Sequence, residues 1–383
     1  MKLALIGFGN AGGKVADAIL DVDQSTQGSL CRDILAINSA KTDLQKPDHI
    51  PTDRRILIGQ TNDRVKGHGV GADPELGAEV ARTDLYELNR AIDEVPIYDI
   101  DAFLIVAGLG GGTGSGGAPV LAKELTEVYQ EPVYGLGILP SEDEGGRATY
   151  NAARSLPTFA AATENLLLFD NNAWRGSDDS VGKGYDRTNR EIARRIMSLL
   201  SAGQISDGTV AENIMDASDI RRTLEPGGLS SIAFAEAKTT DKGLLDRFRN
   251  NGSGQTDSAK KISGLVRRAV QSRLTLPATV DSAERTLIVI SGPPDEFSRK
   301  GLENARRWLE NETGSIEVLA GDNPVPNADT ITATVLLSNV TDVPRVDSLQ
   351  DVAVEARNNI TRAQSERDQR INTLLTREGL DPV

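Results

Sequence analysis

The glycine-rich stretch from Gly108 to Gly117, GLGGGTGSGG, has the residue types best suited to binding a phosphate. Glycine has no Cβ and tolerates positive φ, so consecutive backbone N–H groups can turn toward one anion. Thr113 and Ser115 add hydroxyl donors without bulk. A flexible linker is the alternative, but linkers do not follow an apolar run such as Phe103 to Ala107 or precede a helix-compatible segment. We therefore predict a strand, a phosphate-binding loop and a helix N-terminus, in that order.

Two other glycine-rich segments and one polar strand end indicate a ligand larger than a single phosphate. GFGNAGG at Gly7–Gly13 follows the short apolar run that begins at Lys2, and GHGVGADPELG spans Gly67–Gly77. Between them, a predicted strand from Asp33 to Ile37 ends on Asn38. A single phosphate would not need so many segments, whereas a nucleoside triphosphate can use all of them.

The spacing GxGxxG at Gly7, Gly9 and Gly12 also fits a nicotinamide or flavin dinucleotide fold, and hence an oxidoreductase. That fold requires an acid at the end of the second strand to hold the ribose hydroxyls, and Asn38 stands there instead. The oxidoreductase interpretation also leaves the stretch from Gly108 to Gly117 unexplained. We keep it only as a weaker alternative.

Composition restricts the class of protein. The 383 residues include 56 Asp and Glu against 42 Lys and Arg, a net charge of −14, which argues against nucleic acid as a partner because phosphate backbones are bound by basic surfaces. No apolar run approaches the length of a membrane span, so we predict no direct transmembrane segment and a cytoplasmic protein. The single cysteine, Cys31, excludes a disulfide framework and a multi-cysteine metal site, and no metal-ligating residue is assigned.

Abundant acids, few aromatic residues and more arginine than lysine are typical of halophilic proteins, with an ordinary acidic cytosolic protein as the alternative.

These loops must be positioned by an α/β fold. Strands alternate with helices and each glycine-rich loop follows a strand, which predicts a parallel sheet with the ligand at the carboxyl ends of its strands. Apolar residues at helical spacing from Tyr185 to Leu200 predict a long helix that starts at the ligand face.

The predicted domains are residues 1–184, which bind the nucleotide; 185–225, with the long helix and the loop after it; 226–347, a smaller α/β domain; and 348–383, a polar helical tail. The smaller domain is predicted to have strands at Ser230–Ala237, Thr286–Ser291, Ser315–Leu319 and Thr330–Leu337.

Taken together, the motifs resemble those of the tubulin/FtsZ superfamily of GTPases. GGGTGSG at Gly110–Gly116 resembles the superfamily signature, GFGNAGG the first nucleotide loop, INSAKTDL the second, GHGVGADPELG the third and PSEDEGGR the fifth. The acidic composition and the loops resemble the CetZ family, the haloarchaeal tubulin-like group involved in cell shape, more than bacterial FtsZ. This resemblance extends to about Leu337 and implies a parallel-sheet GTP-binding domain, a long central helix and a smaller C-terminal α/β domain.

The resemblance also implies which residues contact the phosphates of GTP or GDP. The residues that match the phosphate loops are Gly9, Asn10, Ala11, Gly12, Gly13 and Lys14 in the first loop and Gly110, Gly111, Gly112, Thr113 and Gly114 in the fourth. The second and third loops contribute Asn38, Gly71 and Ala72.

Other residues match the nucleoside side of the family's site. Glu144 and Arg147 match the ribose-side Glu and Arg, although the segment EGGR is one residue shorter than the family pattern. Asn171 matches the residue that contacts the base. Tyr185 falls where the family places an aromatic ring on guanine, and Asn189 where it places the residue that reads the guanine edge. For Tyr185, packing at the start of the helix is the alternative.

The amide-rich loops bind a nucleotide but supply no group that activates water. The segment Asn213–Ile220 resembles the synergy loop, in which carboxylates of one subunit reach the γ-phosphate of the next. Asp216 and Asp219 keep its pair of acids and, three residues apart on a helical turn, share a face. The resemblance implies that they act in trans, orienting the attacking water and helping to hold Mg²⁺. The alternative is that the acids only begin a helix and interact with its dipole.

We therefore expect a cytoskeletal GTPase that forms head-to-tail filaments with itself in the presence of GTP, in control of cell shape. Its expected cofactors are GTP/GDP and Mg²⁺, and cell-envelope adaptor proteins are candidate further partners. An FtsZ-like cell-division filament, a nucleotide-binding structural subunit with weak hydrolysis, and the oxidoreductase are the alternatives.

Transfer from molar salt to dilute buffer should lower the melting temperature of the protein, because a net charge of −14 repels itself most strongly when few counterions screen it. Thermal denaturation followed by circular dichroism across a series of KCl concentrations measures this. A melting temperature that does not change with salt would reject the halophilic interpretation.

Overall fold

The computed structural model describes residues 1–26, 28–174, 181–202, 215–239, 254–326 and 328–375 of the chain. Its first part contains β1 (Leu3–Phe8), α1 (Gly9–Ser25), β2 (Cys31–Asn38), α2 (Lys41–Leu44), β3 (Arg55–Leu57), α3 (Pro74–Thr83), α4 (Leu85–Ile92), β4 (Ala102–Gly108), α5 (Thr113–Val128), β5 (Val133–Leu139), α6 (Gly146–Ala162), β6 (Asn165–Asp170) and α7 (Asn171–Trp174). The second part contains α8 (Val181–Leu200), α9 (Ala217–Leu224), β7 (Leu229–Lys238), α10 (Gly254–Gln271), β8 (Ala283–Gly292), α11 (Arg299–Thr313), β9 (Glu317–Pro324), β10 (Thr330–Val340) and α12 (Pro344–Leu375).

Within the described residues, ten strands form one sheet in the order β3-β2-β1-β4-β5-β6-β7-β10-β8-β9. Neighbouring strands are parallel from β3 to β7, whereas β10 is antiparallel to both β7 and β8. The register aligns the carboxyl ends of the parallel strands, since Phe8 lies beside both Ile37 and Ala107, and Leu139 beside Asp170. The segments that follow these strands therefore meet at one edge of the sheet, and the predicted α/β fold is confirmed.

Helices cover both faces of the parallel strands. On one face, Val15 of α1 and Ile192 of α8 belong to the same apolar cluster. On the other face, Leu121 of α5 and Leu156 of α6 belong to a second cluster. All six residues of β1 are buried, which explains its uninterrupted apolar sequence because a strand covered on both faces has no solvent side.

The strand predicted at Ser315–Leu319 begins later and runs further than expected. α11 ends at Thr313, and Gly314 adopts the left-handed conformation with a φ of 60°. This residue reverses the chain at the helix end, so β9 starts only at Glu317 and continues to Pro324. The alternation of apolar residues did not reveal the extra length because Gly321, Asp322 and Asn323 are weak strand formers.

The tail forms α12, a helix of 32 residues that begins at Pro344, earlier than predicted. Its first half packs on α6 and buries Leu349 and Ala353. From Arg357 onward its described side chains are exposed. Among the described residues, no helix combines the length and apolar character needed to cross a bilayer.

Replacing Gly116 by alanine should destabilise the fold, whereas the same change at Gly264 should not. Both glycines lie inside helices, but a Cβ on Gly116 of α5 would overlap the carbonyl oxygen of Pro74, at the start of α3. No described atom lies within 4 Å of a Cβ placed on Gly264 of α10. We expect the free energy of unfolding to fall by about 1–3 kcal/mol for Gly116→Ala. It should rise by about 0.5–1 kcal/mol for Gly264→Ala, because alanine is the better helix former.

Urea denaturation in molar KCl measures both free energies. Equal effects of the two substitutions would contradict the close packing of α3 on α5.

Candidate functional site

A cavity of about 380 Å³ opens at the carboxyl ends of the central parallel strands. It brings together many of the residues predicted to bind GTP: Gly9, Asn10, Ala11, Asn38, Gly71, Ala72, Gly110, Gly111, Gly112, Thr113, Gly114, Glu144 and Asn171 all line it. The predicted residues that do not line this cavity are Gly12, Gly13, Lys14, Arg147, Tyr185 and Asn189. Three glycine-rich segments and two strand ends thus share one cavity, as expected for a ligand with several phosphates.

Two helix N-termini meet at this cavity. α1 begins at Gly9, directly after β1, and α5 begins at Thr113. Gly9 has a φ of 76°, and a Cβ there would lie 2.8 Å from the backbone nitrogen of Gly114, so glycine is required at this contact. The first-turn N–H groups and positive dipole ends of two helices of 17 and 16 residues therefore converge, an arrangement that suits phosphate.

Gly9, Gly12 and Gly13 of the first motif lie in α1, and Gly7 lies in β1, so the predicted loop between strand and helix is absent at this point of the described chain. Gly12 and Gly13 are buried in the first turns of the helix. A Cβ on Gly12 would overlap the carbonyl oxygen of Val106, so this glycine allows α1 to pack on β4. Lys14 follows in the same helix and is partly exposed.

Asn151 connects the third and fourth loops, and the sequence analysis missed it. Its side-chain nitrogen donates to the carbonyl oxygens of Ala72 at 3.0 Å and of Gly110 and Gly111 at 3.2 Å. Asn151 lies on α6 and is 3% exposed, and Ala72 has a φ of 57°, a conformation that needs such support. The sequence hint was Asn151 itself: it is a polar residue at a position of α6 that the helical spacing of buried residues assigns to the core.

A pair of hydroxyl groups connects the second loop to the fourth. The Ser39 and Thr113 hydroxyls lie 2.7 Å apart, and the Gly69 N–H donates to the Ser39 carbonyl at 3.1 Å. Further lining residues that the analysis did not assign are Phe8, Ala40, Asp43, His68, Gly69, Val70, Gly108, Ile138 and Pro140. Phe8, Gly108, Ile138 and Pro140 lie at or next to strand ends, so strand ends followed to their last residue would have identified them, whereas Asp43 lies in α2 and His68, Gly69 and Val70 lie in the third loop.

The nucleoside-side residues are only partly brought together. Asn171 and Glu144 line the cavity, and one Glu144 oxygen accepts the Ser141 backbone N–H at 2.9 Å, which closes a tight turn. Arg147 is exposed and lines a different cavity of about 770 Å³, between α3, α6 and α12. Its ribose contact therefore remains a prediction that this geometry does not support.

Tyr185 and Asn189 lie one helical turn apart on α8, and both are partly buried. Their spacing of four residues places them on the same side of the helix. Neither reaches the wall of the cavity as it stands. Their contacts with guanine also remain predictions.

The positive potential that favours phosphate in this cavity comes from backbone dipoles and not from lysine or arginine side chains. Its charged lining residues are Asp43 and Glu144, and among the lining residues of the described chain there is no lysine or arginine. Gly111 and Gly71 leave open space on the side of the missing Cβ, with no described atom within 4 Å of that position. Backbone donors and unfilled Cβ positions fit a triphosphate, and since no lysine or arginine is among the described lining residues, a bound cation would neutralise phosphate charge that the protein does not.

Asp216 and Asp219 begin α9 as a reciprocal cap. Asp216 Oδ1 accepts the backbone N–H groups of Ser218 and Asp219, and Asp219 Oδ2 accepts the Asp216 N–H at 3.1 Å. The Ser218 hydroxyl also donates to Asp216 and holds the pKa of that carboxyl below its ordinary value, as do the backbone N–H groups. The helix-start alternative therefore describes the isolated subunit: Asp216 is the N-cap residue, Asp219 lies in the first turn of α9, and each carboxylate accepts a backbone N–H of the other residue. Asn213, the other residue of this motif, lies outside the described residues.

This acidic pair lies at the opposite edge of the sheet from the cavity. The Met1 amino group, two residues before β1, donates to the Leu200 carbonyl at 2.7 Å and lies within electrostatic range of Asp216. Asn165, the first residue of β6, donates to the carbonyl of Leu224, which ends α9, at 3.2 Å. α9 thus lies at the amino ends of the strands, about 20 Å from the cavity if a six-residue strand rises 3.3 Å per residue.

Comparisons with known proteins agree with this geometry. A profile of the Tubulin/FtsZ family GTPase domain matches residues 2–179, and one of the C-terminal domain of tubulin-like CetZ matches residues 178–355. The chain is 51% identical over 373 residues to the tubulin-like protein CetZ1 of Haloferax volcanii, covering 94% of this chain and 93% of that protein.

Two solved structures from the same organism are also similar. The GDP-bound monomer of CetZ1 has a TM-score of 0.83 at 50% identity, covering 93% of this chain and all of that one. A GTPγS-bound protofilament of CetZ2 has a TM-score of 0.83 at 42% identity, covering 94% of this chain and all of that one.

Replacing Asn151 should weaken GTP binding, because three loop carbonyls lose their shared donor. We expect Asn151→Leu to lower the affinity for GTP at least about tenfold. Asn151→Asp should lower it further, since a carboxylate of the same size repels both the carbonyls and the triphosphate. Isothermal titration calorimetry measures the affinity. Asn311→Leu is the matched control, because the Asn311 amide is exposed and donates to Arg307 of its own helix; equal losses in both leucine variants would contradict the assignment.

Proposed function

Since the chain belongs to the CetZ family of tubulin-like proteins and is a GTPase, we propose that it polymerises head to tail and that Asp216 and Asp219 of one subunit complete the GTP site of the next. The observation that carries this proposal is the placement of the two halves of the site at opposite edges of one sheet. The phosphate-binding cavity lies at the carboxyl ends of the strands, and the carboxylates lie at the amino ends. One subunit cannot bring them together.

Head-to-tail stacking resolves this separation. When subunits repeat along the strand direction, the amino edge of one sheet faces the carboxyl edge of the next, and each acidic pair meets a neighbouring cavity. A heterologous contact of this kind does not close on itself and generates a filament. The GTPγS-bound protofilament of CetZ2 supports this arrangement for the present chain.

The residues of this chain have separate tasks in the proposed reaction. The N-termini of α1 and α5 bind the phosphates, and Asn151 keeps the third and fourth loops in place. Hydrogen bonds from Ser218 and from backbone N–H groups hold the pKa of Asp216 below its ordinary value and so favour the carboxylate, which can accept a hydrogen bond from the attacking water. Phosphoryl transfer depends mainly on positioning and on stabilising charge, which these groups supply. Mg²⁺ bound with GTP would neutralise phosphate charge in a cavity whose described lining residues include no lysine or arginine.

We further propose that the filaments act in the cytoplasm in control of cell shape, with cell-envelope adaptor proteins as partners. The membership of the CetZ family supports the cytoskeletal role. Assembly would create the active site and hydrolysis would weaken the same contact, which gives filaments that turn over. Light scattering and pelleting with GTP, GDP and GTPγS in molar KCl, with phosphate release followed in parallel, test assembly directly.

Asp219→Asn should abolish hydrolysis and leave GTP binding nearly unchanged. The asparagine oxygen can still accept the Asp216 N–H, so the start of α9 is preserved while the charge is removed. We expect phosphate release to fall about 100-fold or more. Glu303→Gln is the control, because Glu303 is an exposed acid that pairs with Arg307 within α11. Unchanged turnover in Asp219→Asn would remove this residue from the mechanism.

Mixing two variants tests the action in trans. Asp219→Asn subunits bind GTP but lack the carboxylate, and Asn151→Asp subunits keep the carboxylates but bind GTP weakly. Under the proposal, the mixture hydrolyses GTP faster than the sum of its parts. A rate equal to that sum would indicate that the acids act within their own subunit or not at all.

A further inference from the structure

Arg345 connects the first turn of the C-terminal helix, α12, to the nucleoside end of the cavity. It is the second residue of α12, and its guanidinium reaches the ends of β5 and β6. Its Nε donates to Asp170 Oδ1 at 3.2 Å, and its Nη2 donates to the Pro140 carbonyl at 3.0 Å. Pro140 lines the cavity, and Asp170 directly precedes Asn171, which also lines it.

This contact is buried and connects several segments. The Arg345 and Asp170 side chains are 10% and 2% exposed. Burial raises the pKa of Asp170 and the guanidinium opposes that rise, so the pair depends on both partners. Asp170 Oδ1 also accepts the Asn172 N–H at 3.1 Å, and the Asp170 N–H donates to the Thr275 carbonyl of the C-terminal part at 2.8 Å.

The segments that follow β5 and β6 also contact each other through Glu142 and Asn172. The Glu142 N–H donates to the Asn172 side-chain oxygen at 3.2 Å, and the Asn172 side-chain nitrogen donates back to Glu142 Oε1 at 3.1 Å. Arg345 Nη1 lies 3.8 Å from the same Glu142 oxygen. One buried guanidinium therefore contacts both segments, and a reciprocal amide–carboxylate contact joins the same two segments where they are exposed.

Only arginine can make these contacts together. Its planar fork of five N–H donors can serve a carboxylate and a carbonyl at fixed angles, whereas the lysine ammonium is a point charge on a flexible stem. α12 then continues along α6, where a Cβ on Gly146 would lie 3.6 Å from Ala356. The helix thus borders the loops that carry Pro140, Asn171 and Glu144.

We propose that Arg345 is a positioning residue for the nucleoside end of the GTP site, so that the C-terminal helix sets the affinity for the guanosine part of the nucleotide. This inference rests on the proposed function, in which the N-termini of α1 and α5 bind the phosphates, and on the family resemblance, which implies that Asn171 contacts the base. Arg345 does not touch the nucleotide; it fixes the backbone that does. The phosphate loops, held by Asn151, do not depend on it.

The test distinguishes a loss of affinity for the guanosine part of GTP from a loss of affinity for its triphosphate. Displacement of a fluorescent GTP analogue by GTP and by inorganic tripolyphosphate is measured for the full chain and for Arg345→Lys, Arg345→Met and the double variant Arg345→Met/Asp170→Asn. The double variant leaves no unpaired buried charge, so it keeps the test available if the single methionine variant does not fold. Arg362→Met is the matched control, because Arg362 is an exposed arginine of α12 that pairs with Glu366.

We expect Arg345→Lys and the double variant to bind GTP about tenfold more weakly than the unmodified chain, because the wall of the nucleoside end shifts. Their affinity for tripolyphosphate should stay within about twofold, and Arg362→Met should change neither value. Unchanged GTP affinity in the double variant, or equal losses for both ligands, would overturn the proposal. If the unmodified chain itself did not bind GTP, the proposed function would fail instead.

Discussion

The site depends on the close approach of helix N-termini at one edge of the parallel sheet. The register of β1 and β4 places Gly9 and Gly114 so close that no side chain fits between α1 and α5. α3 approaches the same point, since a Cβ on Gly77 would overlap the Gly112 carbonyl oxygen. Glycine residues are therefore frequent around the cavity for two reasons. They let backbone N–H groups face a phosphate, and they let α1, α3 and α5 pack closely beside one another.

Binding through backbone dipoles has a consequence for a protein of net charge −14. In 1 M salt the Debye length is about 3 Å, so attraction between a distant lysine and a phosphate would be largely screened. Hydrogen bonds from backbone N–H groups act at contact distance and are screened much less. A cavity that is lined by glycine N–H groups, with no lysine or arginine among the lining residues that the structure describes, suits a triphosphate ligand in a salt-rich environment.

The sequence predicted the parallel sheet, the strand ends and most of the phosphate side of the cavity, because these features depend on local patterns of apolar residues and glycine. It did not predict Asn151 or Arg345, whose roles depend on contacts across 40 or more and 175 residues of chain. It also misplaced the start of β9, where a single left-handed Gly314 sets the boundary. Arg147 was assigned by spacing within a shortened motif, and α6 turns it toward another cavity. Local pattern thus determines which backbone meets the ligand, whereas long-range side-chain contacts determine how that backbone is held.

The two interpretations of Asp216 and Asp219 are compatible. The reciprocal cap uses Asp216 Oδ1 and Asp219 Oδ2, and a carboxylate has two oxygens with about four lone-pair sites. A carboxylate that caps its own helix can therefore also accept a hydrogen bond from water in a neighbouring site. The cap in addition fixes both side chains before any neighbour arrives, so little reorganisation would be needed on assembly. Under the proposed mechanism, the contact that begins α9 is also what prepares the acids for catalysis, and a subunit would carry half of a preorganised site at each end.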